Sequence, residues 1–200
     1  KSKEELYFSF YLDQLKAHGY VEKWGYEVST FDLTDPYKRK YTKQLKTKTK
    51  VVEEHLIAKS SITADFTIHW TPKAINVFYL DSEIPVESAS KIPFRTENSR
   101  SNVSHIEVKA VFEGSTSSSI SFPYKQKFCQ FKHEVFIQKI KPFDSKKKCL
   151  FSETFFPDAV LELEVYKKDG QRGEVFWRAG DSKIKHKDGV KTLTEFINNL

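Results

Sequence analysis

Ten residues, SITADFTIHW (61–70), constrain this chain more than any other stretch. Apolar and polar side chains alternate without a break: Ile62, Ala64, Phe66, Ile68 and Trp70 fall on one face, and Thr63, Asp65, Thr67 and His69 on the other. A period of two belongs to a strand with one buried face, because a helix repeats every ~3.6 residues and would mix the two sets. The fold must therefore contain a sheet covered on at least one side. Asp65 must look away from that cover.

A covering helix is written at the amino terminus. SKEELYFSFYLDQLKAHGY opens with a capping box, Ser2 and Glu5, continues with Phe8, Tyr11, Leu12 and Leu15 near helical spacing, and stops at Gly19. Strands are predicted over 24–33, 51–58, 74–80 and 104–112, the last with Ile106, Val108 and Ala110 on one face and His105, Glu107 and Lys109 on the other. Between them, 81–102 is polar, carries two prolines and reads as a long excursion, and STSSS (115–119) reads as a flexible loop. A helix over 122–134, with Phe128, Phe131 and Val135 at helical intervals, then leads to a strand over 135–141 stopped by Pro142. After it come a hairpin over 159–178 turning at Asp169-Gly170 and a short final helix with a second capping box, Thr192 and Glu195. The expectation is one domain over 1–200, with a core at 3–141 and an extension at 142–200 packed on it.

Several classes of function find no support. The chain has no Gly-rich phosphate loop, no Gly-x-Ser-x-Gly elbow and no Cys-His arrangement, and its six histidines form no close pair with metal-ligand spacing. Cys129 and Cys149 read as free thiols. No apolar run approaches the ~20 residues of a membrane span and the first residues lack a secretory signal, so the expectation is a cytoplasmic protein with no membrane partner. The net charge of +6 is modest, but its distribution is not. Residues 38–50 hold Lys38, Arg39, Lys40, Lys43, Lys46, Lys48 and Lys50 with no acid among them, a natural contact for a phosphate backbone, with Tyr37 and Tyr41 beside them to stack on bases. A solvated hairpin tip is the plainer reading of the same run.

If the strands bearing Asp65 and Glu107 are neighbours, Asp65, Glu107 and Lys109 converge on one polar patch. Two carboxylates and a backbone carbonyl make a hard-oxygen site for Mg²⁺ or Mn²⁺, and an ammonium two residues along the same face can stabilise developing charge or hold a water. Alone, the Glu-x-Lys pair is better explained as a solvated strand face.

The order of elements adds to it. A helix, strands, an aspartate on one strand, Glu-x-Lys on the next, then a helix and a strand resembles the PD-(D/E)XK nuclease superfamily over residues 3–141, with ADFTIHW supplying Asp65 and IEVKA supplying Glu107 and Lys109. Its style is similar to small nucleases encoded by phages and mobile elements. The resemblance implies an α/β, restriction-endonuclease-like αβββαβ core with a mixed central sheet, to which the C-terminal hairpin and helix are appended. It implies a metal-dependent deoxyribonuclease, more an endonuclease than an exonuclease, with Asp65 and Glu107 on the metal, Lys109 assisting the water, and Glu5 (or Glu4) completing the site. Gln126 and Lys127, on the following helix, would join Lys43, Lys46, Lys48 and Lys50 in contacting DNA. The sequence departs from the pattern at Ala64, where a proline is usual, and in the long gap from Asp65 to Glu107, which calls for an inserted strand and loop. The alternative is a non-catalytic nucleic-acid-binding module on the same fold, and the C-terminal hairpin and helix are candidates for a homodimer contact or a wall of the substrate site.

Overall fold

The structure, a computed structural model, describes residues 2–80, 92–109, 117–144, 148–162, 186, 189 and 191–200. Helix α1 (Lys3–Ala17) begins as its capping box requires: the Glu5 amide donates to Ser2 Oγ at 3.2 Å and the Ser2 amide to Glu5 Oε2 at 3.0 Å. It ends at Gly19, whose φ of 76° suits a residue without Cβ. Tyr7, Phe8, Tyr11, Leu12 and Leu15 make its buried stripe.

Strand β1 (Val21–Thr34) leads into a separate two-stranded ribbon, β2 (Tyr37–Gln44) and β3 (Thr49–Ile57), before β4 (Ser60–Trp70) returns to pair with β1. The main sheet continues through β5 (Val103–Val108) and β6 (Ile137–Ile140) in the order β1-β4-β5-β6. Strand β4 is antiparallel to both of its neighbours, β1 and β5, while β5 and β6 are parallel. A parallel pair needs a crossover, and α2 (Ser117–His133) supplies it. The molecule is thus α/β, with a mixed four-stranded sheet and a second antiparallel ribbon inserted between β1 and β4.

The alternation of β4 is realised as read: Ile62, Ala64, Phe66, Ile68 and Trp70 are at most 6% exposed. Phe8 of α1 meets Phe66 edge-on at 5.0 Å, and Tyr11 stacks on Phe155 at 4.4 Å while donating to Thr154 Oγ1. Helices α3 (Leu150–Glu153), α4 (Asp158–Glu162) and α5 (Leu193–Asn198) close the same core with Phe151, Phe155, Phe156, Val160, Leu193 and Phe196. A second cluster, Ile62, Ala64, Phe122, Cys129, Val135 and Ile137 with Leu33, fixes α2 to the sheet. Both cysteines are free and buried. Among the described residues no helix is long and apolar enough to cross a membrane.

Four expectations are corrected. Residues 74–80 are not a strand: Pro72–Ala74 form a 3₁₀ turn, and Tyr79 makes only isolated bridges with Ile75 and Phe94, so among the described residues no strand is inserted between those of Asp65 and Glu107. Helix α2 begins at Ser117, inside the stretch read as a flexible loop, and runs through Pro123. Its buried residues are Phe122 and Cys129, whereas Phe128 and Phe131 face solvent and Val135 lies beyond its end. Finally, the predicted hairpin over 159–178 starts in α4 instead of a strand; 163–178 lie outside the described residues.

Candidate active site

The sheet loses its regularity at Asp65 on both sides. Toward β1, Tyr26 pairs with Phe66 and Ser29 with Ala64, so Glu27 and Val28 are an extra residue's worth of chain opposite Asp65. Glu27 takes a left-handed φ of 52°, and Val28 folds back so closely that a Cβ on Gly25 would meet its methyl at 2.8 Å. Only glycine fits there without a shift. Bulges of this kind re-aim side chains and concentrate beside active sites.

Toward β5 the ladder stops at Phe66↔Ile106. The next inward-facing donor, the Val108 amide, is taken by a side chain instead: it donates to Asp65 Oδ2 at 2.7 Å. Val108 lies between Glu107 and Lys109, so one hydrogen bond locks Asp65 beside both. Lys109 Nζ donates to Glu107 Oε1, with both side chains under a fifth exposed, and sits 5.9 Å from the centre of the Phe122 ring. The register of the two strands, carried one step past its last pair, sets Asp65 opposite Glu107.

Glu5 approaches from α1. Its Oε2 accepts from the Tyr26 hydroxyl at 2.8 Å as well as from the Ser2 amide, so the capping-box role and a role facing the sheet are both filled. Burial works to raise its carboxyl, but the Tyr26 and Ser2 hydrogen bonds outweigh burial and hold it below the usual carboxylate range. The same bond, first among its causes, raises the Tyr26 phenol.

Asp65 moves the other way. Burial first, then the Glu107 carboxylate, and more weakly Glu5, push its carboxyl up to about 7 against the pull of the Val108 amide and Lys109. A half-buried carboxylate raised by burial and by a neighbouring carboxylate lacks a fully compensating positive charge. Asp65 Oδ1 and Glu107 Oε2 accept no hydrogen bond from described residues. The donor set therefore suits a hard divalent cation, which in the case of Mg²⁺ is held by one or two carboxylates with water and phosphate completing the shell. Among the described residues no three His, Cys, Asp or Glu side chains are placed to hold a metal together, so Glu5 acts on Asp65 through space.

Glu107 and Lys109 open onto a cleft of about 320 Å³ lined also by Ser61, Ile62, Thr63, Ser121, Phe122 and Lys125. Lys125 Nζ donates to the Ser61 carbonyl at 3.3 Å across it. Lys125 and Tyr26 escaped the sequence reading. The first was findable once Phe122 and Cys129 fix the buried face of α2; the second has no local signal, since it depends on the pairing of β1 with β4.

The remaining candidates separate. Lys127 is exposed, but Gln126 is turned under the helix, where its amide donates to the Ile137 carbonyl and braces α2 on β6. Lys43, Lys46, Lys48 and Lys50 gather at the end of the ribbon, which leaves the sheet after Thr34 and returns at Ser60, next to the cleft-lining Ser61. Lys46 and Lys48 belong to the turn closed by the Leu45 amide on the Lys48 carbonyl, and Lys43 pairs across from Lys50, so the alternate lysines do not share one face. His105 stays apart from the acids: it is buried, with Nδ1 3.1 Å from Thr67 Oγ1 and Nε2 2.9 Å from Glu97 Oε2. Burial outweighs Glu97 and holds the imidazole below its usual pKa, so at neutral pH the contact is a hydrogen bond from an uncharged ring.

No protein-family model, no curated protein and no solved structure matches this chain.

Proposed function

We propose that the protein is a metal-dependent nuclease that hydrolyses DNA phosphodiester bonds, with a restriction-endonuclease-like core of the PD-(D/E)XK kind and a role in phage or mobile-element DNA processing. The observation that carries the reading is the Asp65–Val108 hydrogen bond, which sets Asp65 against the Glu-x-Lys pair where β4 and β5 part. Without the ribbon, the elements run helix, three strands, helix, strand, which supports the same reading.

Asp65 and Glu107 would hold Mg²⁺ or Mn²⁺. When bound, the cation supplies Lewis acidity toward a phosphoryl oxygen and a water of lowered pKa. The Val108 amide fixes the Asp65 carboxylate, and Lys109, tethered by Glu107, offers an ammonium where charge develops on the phosphate. Glu5, ionised and held by Tyr26, adds negative potential on the α1 side. The lysines of the ribbon and Lys127 meet the phosphate backbone.

Cleavage of single-stranded, duplex and branched DNA with Mg²⁺, Mn²⁺ or EDTA tests this. Asp65→Asn and Glu107→Gln should each lower the rate about a hundredfold or more, and EDTA should abolish it. Cutting that survives both substitutions overturns the site. The second reading, a non-catalytic nucleic-acid-binding module, is favoured by the ribbon: its four terminal lysines have no acid partner among the described residues and would bind without the carboxylates. Salt-sensitive binding with no cutting of any substrate would select it.

A further inference from the structure

Helix α2 carries an apolar stripe that nothing described covers. Ile120, Tyr124, Phe128 and Phe131 are 58%, 63%, 52% and 89% exposed, spaced four, four and three residues apart so that they line one face. A soluble surface rarely leaves several large apolar side chains contiguous without a partner. The chemistry around the stripe restricts what that partner is. Residues 117–133 contain Lys125, Lys127 and Lys132 and no acid. On a helical projection Lys127 borders the stripe on one side and Lys125 and Lys132 on the other. A second copy of the chain would set two acid-free cationic helices face to face, an arrangement disfavoured by like-charge repulsion. A polyanion with flat apolar rings fits both properties. Moreover, the stripe passes beside the cleft: Tyr124 is in the same helical turn as Ser121, Phe122 and Lys125, all of which line it.

We propose that the exposed aromatic face of α2 is a stacking surface for unpaired bases, so that the nucleic acid entering the cleft is single-stranded where it passes α2. This rests on the reading of the cleft as a nucleic-acid site and adds the substrate class to it. Tyr124, Phe128 and Phe131 take successive bases on their rings, while Lys125 and Lys127 follow the phosphates; Lys132, 4.0 Å from the exposed Asp35 carboxylate, would exchange that partner for a phosphate.

The test measures binding apart from chemistry. Fluorescence anisotropy in EDTA compares a labelled mixed-sequence single strand with the corresponding duplex, for the unaltered protein and for Phe128→Ala, Phe131→Ala and Tyr124→Ala. These side chains are exposed, so thermal melting should not move. Each substitution should weaken single-strand binding by at least about fivefold and leave duplex binding nearly unchanged, and Phe128→Trp should restore affinity. Full single-strand affinity in the Phe128→Ala/Phe131→Ala protein overturns the proposal, whatever cleavage shows. So does a loss of dimer by light scattering, or of binding to phosphatidylserine vesicles, with single-strand binding intact. Stripe-dependent binding with no DNA cutting leaves the stacking surface standing and overturns only the nuclease reading.

Discussion

The chemistry of this protein concentrates in how one residue is treated by its neighbours. Asp65 would be an ordinary carboxylate on an open strand; burial, Glu107 and Glu5 raise it to about 7. A group whose folded pKa lies above its unfolded value binds protons in the folded state. Its contribution to stability is therefore complete below about pH 4 and is lost as pH rises through 7. In EDTA the melting temperature should fall from pH 5 to pH 8 by more than in Asp65→Asn, which removes the charge and should be the more stable protein at pH 8, by about 2–4 °C for each kcal/mol relieved. A fall of equal size in both proteins would show that Asp65 does not titrate there. A cation held by Asp65 and Glu107, as proposed, would compete with the proton for the same oxygens, so Mg²⁺ should stabilise the protein at pH 8 and much less at pH 5.5, read as the shift in melting temperature on adding metal.

Elements decide where charge is delivered. The ribbon β2–β3 is about 25 Å long, eight strand residues at ~3.3 Å each, and its side chains are almost all exposed. Along its shaft Lys38 is matched with Glu53 at 2.7 Å and Arg39 with Glu54 at 2.8 Å. At its tip the cations are not matched: Lys43 faces Lys50 directly across the ladder, with Lys46 and Lys48 in the turn. Like charges opposite one another weaken a hairpin, and a polyanion bound there, as proposed, would relieve the repulsion. Replacing the four tip lysines by alanine should reduce the slope of log affinity against log salt for DNA by about 3, with stability raised by up to about 1 kcal/mol as the Lys43–Lys50 repulsion is removed. Gel-shift titrations over a range of salt would show it; an unchanged slope would remove the ribbon from the interface.

At the scale of the molecule, elements far apart in sequence share one core. Phe196 of α5 contacts both Phe78 and Phe155, and Tyr11 of α1 reaches Thr154, so α5 closes the core that α1 begins. Phe196→Ala should cost about 3 kcal/mol, and Trp70→Ala about 3–5 kcal/mol because it also strips the Ser104 hydroxyl of the donor it holds at 2.8 Å. Denaturant unfolding would measure both. A Trp70→Ala protein within 1 kcal/mol of the parent would mean that the sheet tolerates a large void at its centre.

Local pattern settled the parts that depend on local physics. The two capping boxes, the C-terminal glycine of α1 and the alternation of β4 all stand, because a cap or a pleat is fixed by residues within a few positions of each other. Asp65, Glu107 and Lys109, which the alternation places on the polar faces of their strands, do lie together where β4 and β5 part. Pattern failed where distant chain decides. Phe128 and Phe131 read as core and face solvent, because which side of α2 is buried depends on where β6 and β4 lie beneath it. His105 shares a face with Glu107 in sequence and is withdrawn by Glu97 and Thr67. Above all, the pairing of Asp65 with the Glu-x-Lys strand was left open by forty-one intervening residues. It was decided by the β4–β5 register and by the Val108 amide, a donor that the parting strands leave without a backbone partner.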